Sequence, residues 1–199
     1  MNFYAKVLDD GIVQGPQELP RSTSHISGFN LLDDATLKTH GWLPVQGFSY
    51  NNKFQNISAP DIQADKVVYT AVDKNIADVK TYLKSVVANL RWRKELDGYQ
   101  YNDYDIVTDE RSQVKMIGAL LGIVAGVRVN NSKWKFKDGF KAVSNEDMAA
   151  ICGATNAYIQ SLYDKENGQI AEIEALETVA DCKVYDVNSD WFPVDEDIF

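Results

Sequence analysis

The longest apolar run in the chain, residues 116–127 (Met-Ile-Gly-Ala-Leu-Leu-Gly-Ile-Val-Ala-Gly-Val), sets the first limit on what it can fold into. A membrane-spanning helix needs about 20 consecutive apolar residues, and this run stops well short of that, with Gly118, Gly122 and Gly126 inside it. It reads as a core segment of a globular fold, in a helix capped by Thr108 or Asp109 with Val114, Ile117, Leu120, Leu121 and Val124 on one side. With 45% hydrophobic and 25% charged residues over 199 positions, the composition supports one or two compact units rather than a disordered or fibrous chain. The N-terminus lacks the basic start and apolar stretch of a secretion signal, so the expected location is the cytoplasm of the cell that makes it, with no membrane partner.

Around that helix the patterning alternates between short strands and longer helices. Residues 3–8 read as a strand, Asp10-Gly11 as a turn and Ile12-Val13 as the start of a return strand. A short helix over 33–40, capped by Asp33 or Asp34, stops at Gly41 before Trp42-Leu43-Pro44-Val45. Residues 46–60, where Phe48, Tyr50 and Phe54 alternate with polar neighbours, form a hairpin or connector. Residues 66–72 have strand composition. Asp73 or Asn75 then caps a helix with Ile76, Val79, Leu83, Val86, Val87 and Leu90 at helical spacing, which stops at Gly98. Residues 99–107 alternate aromatic and polar side chains. The clearest local signal is a hairpin in which Trp134-Lys-Phe136 and residues 140–143 flank Asp138-Gly139. Ser144 with Asp147 resembles a capping box and opens a long helix whose core face is Met148, Ile151, Cys152, Thr155, Tyr158, Ile159 and Leu162. Gly168 is a candidate break in it, and residues 183–187 turn strand-like. The fold class is therefore α+β. A small N-terminal α+β module (1–60) precedes a C-terminal domain of about three helices with β-hairpins (61–187) and an acidic aromatic tail (188–199).

Few residues converge on reactive chemistry. His25 and His40 have no Cys, His or carboxylate neighbours at metal-ligand spacing, and Cys152 and Cys182 make neither a zinc knuckle nor a redox pair and read as free thiols. The glycine pairs lack the strand-to-helix setting of a phosphate loop. Asp103-Tyr-Asp105, with Asp97 or Asp109, is the one candidate divalent-metal cluster, but it lacks the glycine and distal glutamate of a calcium loop. The expectation is no catalytic residue, no metal and no cofactor. A net charge of -9 repels phosphate backbones, so nucleic acid is not an expected partner, and Arg128, Lys133, Lys135, Lys137 and Lys141 read as a solvated hairpin edge. Four Trp, ten Tyr and eight Phe supply interface anchors instead. The candidate protein-binding residues are Trp134, Phe136 and Phe140 on the hairpin and Trp191, Phe192 and Phe199 in the tail.

Two stretches resemble known proteins. Leu19-Pro20, Ile26-Ser-Gly-Phe-Asn-Leu-Leu32 and Gly41-Trp-Leu-Pro-Val45 are similar to the opening module of short proteins encoded beside bacteriophage tail-fibre genes. Arg91-Trp92 with Glu95, Thr108-Asp109 with Ser112-Gln113, Ile117-Gly-Ala119, and Trp134-Lys135 with Asp138-Gly139-Phe140, followed by the long helix, resemble in that order an uncharacterised domain family recurrent in phage tail proteins. The resemblance implies a non-enzymatic tail protein that binds a tail-fibre or baseplate protein, as an assembly chaperone or a retained virion component. It would be found in the host cytoplasm during assembly or in the virion tail, with a second copy of the chain as a further candidate partner. The alternatives are a tail protein that binds a host receptor or glycan, and a small metal-dependent enzyme using Asp103 and Asp105.

Overall fold

Short strands joined by tight turns fill the first part of the chain, and capped helices make up most of the rest, so the class is α+β. The computed structural model describes residues 3–8, 11–46, 49–189 and 191; the expected turn residue Asp10, Phe48 and the tail residues Phe192 and Phe199 lie outside that set. By contacts the chain divides into two compact units, Met1–Val79 and Lys80–Phe199.

In the first unit, β1 (Tyr4–Leu8) pairs antiparallel with β2 (Gly11–Gln17) on one side and β3 (Trp42–Pro44) on the other. The sheet closes tightly at Gly15, where φ is +119° and a Cβ would stand 2.8 Å from the Ala5 Cα. Between β2 and β3 lies α1 (Asp34–Thr39), capped by the Asp33 carboxylate, which accepts from the Thr36 N–H at 2.7 Å. Phe29, Leu37 and Trp42 bury one face of this module, with the Phe29 and Trp42 rings edge to face at 6.1 Å. The strand expected over 66–72 is two strands, β6 (Val67–Val68) and β7 (Ala71–Asp73). β6 pairs with β5 (Asp61–Ile62), and β7 with β4 (Gln55–Ile57). Val67 also bridges to Val45 and packs with Ala5, Leu43 and Tyr69, which holds these ladders to the first unit.

The second unit is built on α2 (Ile76–Asp97), α3 (Glu110–Val124) and α4 (Asn145–Ala175), with the short α5 (Val179–Val184) after them. Two hairpins punctuate these helices: β8 (Tyr99–Tyr101) with β9 (Tyr104–Ile106), and β10 (Ser132–Phe136) with β11 (Gly139–Val143). Gly98 ends α2 at φ +77°, and a Cβ there would stand 2.2 Å from the Ile106 carbonyl oxygen, so only glycine lets β9 close on the helix end. α4 opens at the Ser144 cap and continues through Gly168 for 31 residues, about 46 Å. Glycine is only mildly unfavourable in a helix, and packing on both sides of it carries α4 through. The strand-like reading of residues 183–187 is corrected: Lys183 and Val184 end α5, which a full capping box between Thr178 and Asp181 opens, and residues 185–187 form no strand. The core of the unit is Ile106, Met116, Phe136, Val143, Met148 and Ile151. Among the described residues no helix is long and apolar enough to cross a membrane.

The orientation of α3 also departs from expectation. Met116 is its buried residue, with Ala119 and Ile123 packed beside it, whereas Val114, Ile117, Leu120, Leu121 and Val124 are exposed. The helix is apolar on more than one side, and the fold buries the narrower one.

The cap of α3 carries a pH signature. Asp109 accepts from the Ser112 hydroxyl at 2.7 Å and its backbone N–H at 3.1 Å, and these bonds, the hydroxyl's above all, hold the carboxyl below its ordinary 3.8. A carboxyl with a lower pKa in the folded state contributes stability above pH 3.8 that is lost as pH falls through the folded value. Asp109→Ala should cost about 1 kcal/mol at neutral pH. In urea titrations the gap between wild type and variant should narrow as pH falls below 3.8; a gap unchanged by acid would mean that the carboxylate is not the capping species.

Candidate interaction surface

Four of the residues that carried the second resemblance, Arg91, Glu95, Thr108 and Gln113, converge in the second unit. Arg91 and Glu95 sit one turn apart on α2, and Arg91 donates through Nε to Glu166 of α4 at 2.9 Å while its Nη1 bonds Glu95. The other oxygen of Glu95 accepts from Gln113 of α3 at 2.9 Å, and Gln113 also donates to the Thr108 carbonyl at 2.8 Å. The buried Thr108 hydroxyl donates to the Glu95 carbonyl. Tyr163 covers the guanidinium at 4.7 Å from ring centre to Cζ. Burial works against the charge on Arg91, yet its bond to Glu166 and the charges around it leave its pKa raised. α2 and α4 run antiparallel along further contacts: Lys84 Nζ to Glu174 at 2.6 Å, and the Tyr158 hydroxyl to the Lys94 carbonyl at 2.8 Å. These groups satisfy one another, and among the described residues no buried side-chain nitrogen or oxygen lacks a hydrogen-bond partner.

The anchor residues read from the sequence separate into three groups. Phe136 is a correction: it is only 3% exposed and stacks on Tyr104 at 4.9 Å, because its strand position points into the hairpin's covered face. Trp134, two residues earlier on that face, is half-buried against α3. Phe140 points the other way, is 69% exposed, and lies 5.9 Å from the Lys135 ammonium. Trp191 is 7% exposed, and its indole N–H donates to the Gln169 Oε1 at 2.7 Å. It is thus a structural anchor in its own chain and does not present its ring to a partner. Phe192 and Phe199 lie outside the described residues.

Gln169 was missed by sequence reasoning. Its buried amide also donates to the carbonyls of Val187 and Ser189 at 3.1 and 3.4 Å, fastening the segment after α5 to α4. The signal was a polar residue seven positions after Leu162 and four before Ile173, within the apolar stripe of α4.

The backbone of the candidate Asp103–Asp105 cluster is bound by the neighbouring hairpin. Lys141 bonds the Asp103 carbonyl and pairs with Asp138 at 2.7 Å, and the Lys137 N–H bonds the Asp105 carbonyl at 3.1 Å. Among the described residues no group of three or more His, Cys, Asp or Glu side chains is placed to hold a metal ion. Burial pushes the Cys152 thiol up, and it donates to the Met116 carbonyl at 3.4 Å.

Large apolar side chains of α3 and its surroundings also stand exposed. α3 stands as a ridge between two open grooves. One, of about 390 Å³, lies against α4 and is lined by Ile117, Leu120, Cys152 and Ile159. The other, of about 410 Å³, lies against the β10–β11 side and is lined by Gly118, Gly122, Val127 and Trp134 together with the basic Lys115, Arg128 and Lys133. The arrangement suits the docking of side chains from another polypeptide.

Residues 78–187 match a family model described as Domain of unknown function (DUF4376). The match covers more than half of the chain, and the chain belongs to that family. No curated protein and no solved structure matches it.

The Arg91 network predicts its own weight. Arg91→Met leaves Glu95 and Glu166 partly buried without their cation and should cost about 3 kcal/mol in urea unfolding. Adding Glu166→Gln to that variant should recover part of the loss. Strictly additive effects would mean that the two residues are not coupled.

Proposed function

We propose that this chain is a non-enzymatic phage tail protein that binds a tail-fibre or baseplate protein, as an assembly chaperone or as a component retained in the virion. One observation carries the reading: polar groups of the second unit bond one another within the fold, while large apolar side chains, Phe140 and those of α3 among them, stand exposed. Such a surface offers interface anchors rather than a reaction centre. The tail context comes from the resemblance of Leu19-Pro20, residues 26–32 and 41–45 to modules encoded beside fibre genes, and from the ordered motifs of the second unit. Within the first unit, Ile26, Phe29, Leu32 and Trp42 from those motifs pack together, which fits a module selected as a folded piece.

Co-expression with the adjacent fibre protein should yield an isolable complex and more soluble fibre. Phe140→Ser should weaken that complex roughly tenfold, as loss of an interface anchor does, while leaving the melting temperature of the free protein unchanged. No complex and no gain in soluble fibre would overturn the reading. Binding of the purified protein to host cells or glycans without fibre would replace it with direct host recognition.

A further inference from the structure

We infer that the open edge of β10 is a site of strand addition, and that the strand it takes is an extended segment of a partner polypeptide with carboxylates at alternate positions. The inference rests on the binding role proposed above and names the chemistry of the partner. β10 pairs with β11 along one edge, and the two-residue turn at Lys137 and Asp138 makes Phe136↔Gly139, Trp134↔Lys141 and Ser132↔Val143 the pairs that exchange hydrogen bonds. The N–H and C=O groups of Lys133 and Lys135 therefore point to the other edge. β9 meets that edge at its turn end, where the Lys137 N–H donates to the Asp105 carbonyl at 3.1 Å. Among the described residues no main-chain group bonds Lys133 or Lys135 there, so the edge runs open beyond that point.

α3 stands across from the open edge and leaves a trough. A cleft of about 120 Å³ lies between residues 133–136 of β10 and Val107, Ser112, Lys115 and Met116. It shares Lys115, Lys133 and Trp134 with the groove of about 410 Å³ described above, so the two run on from one another along β10. Neighbouring strands lie about 4.8 Å apart. The α3 wall is low where a strand would continue, with no atom within 4 Å of the position a Gly118 side chain would take.

The charge along the trough selects the ligand. Lys115, Lys133 and Lys135 line it and no Asp or Glu does, and among the described residues none of the three lysines has an ion-pair partner. Arg128 lines the far end, but its guanidinium is already bonded to Asn145 and the Val143 carbonyl, and it is left out of the count. The acid that interacts with Lys115 is Asp109, which at the same time caps α3. Glu110 and Arg111, the next two residues, are exposed and opposite in charge. Three cations against one shared carboxylate leave a surplus of positive charge, in a chain whose net charge is -9.

Lysines on an open edge decide which strand can pair there. Two copies of this edge repel each other, which bars self-pairing, whereas a strand bearing carboxylates is attracted. Side chains alternate along a strand, so every second residue of the added segment lies beside Lys133 or Lys135. The residues between them lie on the side of Trp134 and Phe136, where Val107 and Met116 line the cleft. The segment that fits is therefore acidic at one set of positions and apolar at the other. The outward C=O groups need donors at the strand repeat, which a polypeptide backbone supplies and a phosphodiester backbone does not.

Fluorescence anisotropy with the full chain and a labelled peptide, Thr-Glu-Val-Glu-Val-Glu-Thr, tests this. The peptide should bind, and binding should weaken as salt rises from about 0.05 M to about 0.5 M. K133E/K135E should lower the affinity roughly tenfold or more, while K38E/K53E, an equal charge change at exposed lysines of the first unit, should leave it unaltered. If the double glutamate variant does not fold, K133Q/K135Q gives the same reading as a smaller loss. Of two N-methylated peptides, one blocked at its Glu amides and the other at its Val amides, only one should keep binding, because a strand gives alternate amides to its neighbour. The same residues in the order Thr-Glu-Glu-Glu-Val-Val-Thr should bind more weakly. The inference is overturned by a Kd above about 1 mM for the first peptide, by binding that survives the lysine substitutions, or by peptides that differ in order or methylation yet bind alike. Tighter binding of a heparin oligosaccharide would overturn it in favour of a general polyanion site. Peptide binding confined to D195N/E196Q/D197N protein would do so by assigning the edge to the chain's own acidic segment. No fibre protein enters these measurements, so the co-expression reading and this one fail separately.

Discussion

The second unit depends on one partly buried cation. Arg91 has a carboxylate on each side, Glu95 from its own helix and Glu166 from α4, and Glu95 in turn holds Gln113 of α3. Three helices that would otherwise be free to slide are thereby fixed to one another at a single level. Removing such a charge from water is costly, and the arrangement persists because the guanidinium has two carboxylates and a tyrosine ring around it. The apolar core alone would tolerate several packings of similar energy. The polar network admits one, since any shift of register would strand a charge.

That constraint explains how α3 came to face the way it does. Gln113 bonds both Glu95 and the Thr108 carbonyl, and Asp109 caps the helix through Ser112, so the first turn is pinned from two directions before the apolar residues are placed. Met116, three residues on from Gln113, is then carried inward, and the wider apolar side containing Ile117 and Leu121 is carried outward. Hydrophobicity by itself would have chosen the opposite rotation. Four or five exposed aliphatic side chains are the consequence of satisfying a few hydrogen bonds, which is sustainable if the exposed side is covered in an assembly.

Much of the architecture could be read from the sequence where local chemistry decides it. The Asp138-Gly139 hairpin, the Asp33, Asp109 and Ser144 caps and the Gly98 stop are short-range rules, and the structure places them where those rules put them. Where tertiary contacts decide, the reading fails. A strand-like composition over 183–187 yielded to the Thr178 capping box a few residues upstream, and Gly168 did not stop a helix supported on both sides. Strand alternation is enough to separate Phe140 from Phe136 and Trp134, whereas aromatic content without facing groups all three as anchors. Gln169 and Trp191 make the same point in reverse: an amide and an indole distant in sequence bond each other in the interior, a pairing that no local pattern contains.

The exposed surface that results is chemically uneven, and the unevenness limits what can bind there. Basic side chains of the β10–β11 hairpin are drawn toward the β8–β9 turn, Lys141 to the Asp103 carbonyl and Asp138, and Lys137 to the Asp97 carbonyl at 3.5 Å. Their charge is thereby partly answered within the unit, which lowers their value for holding a polyanion. The outer side of α3 is apolar along Val114, Ile117, Leu121 and Val124. A partner for that side must therefore bring apolar shape rather than opposite charge, and must do so in the field of an acidic molecule.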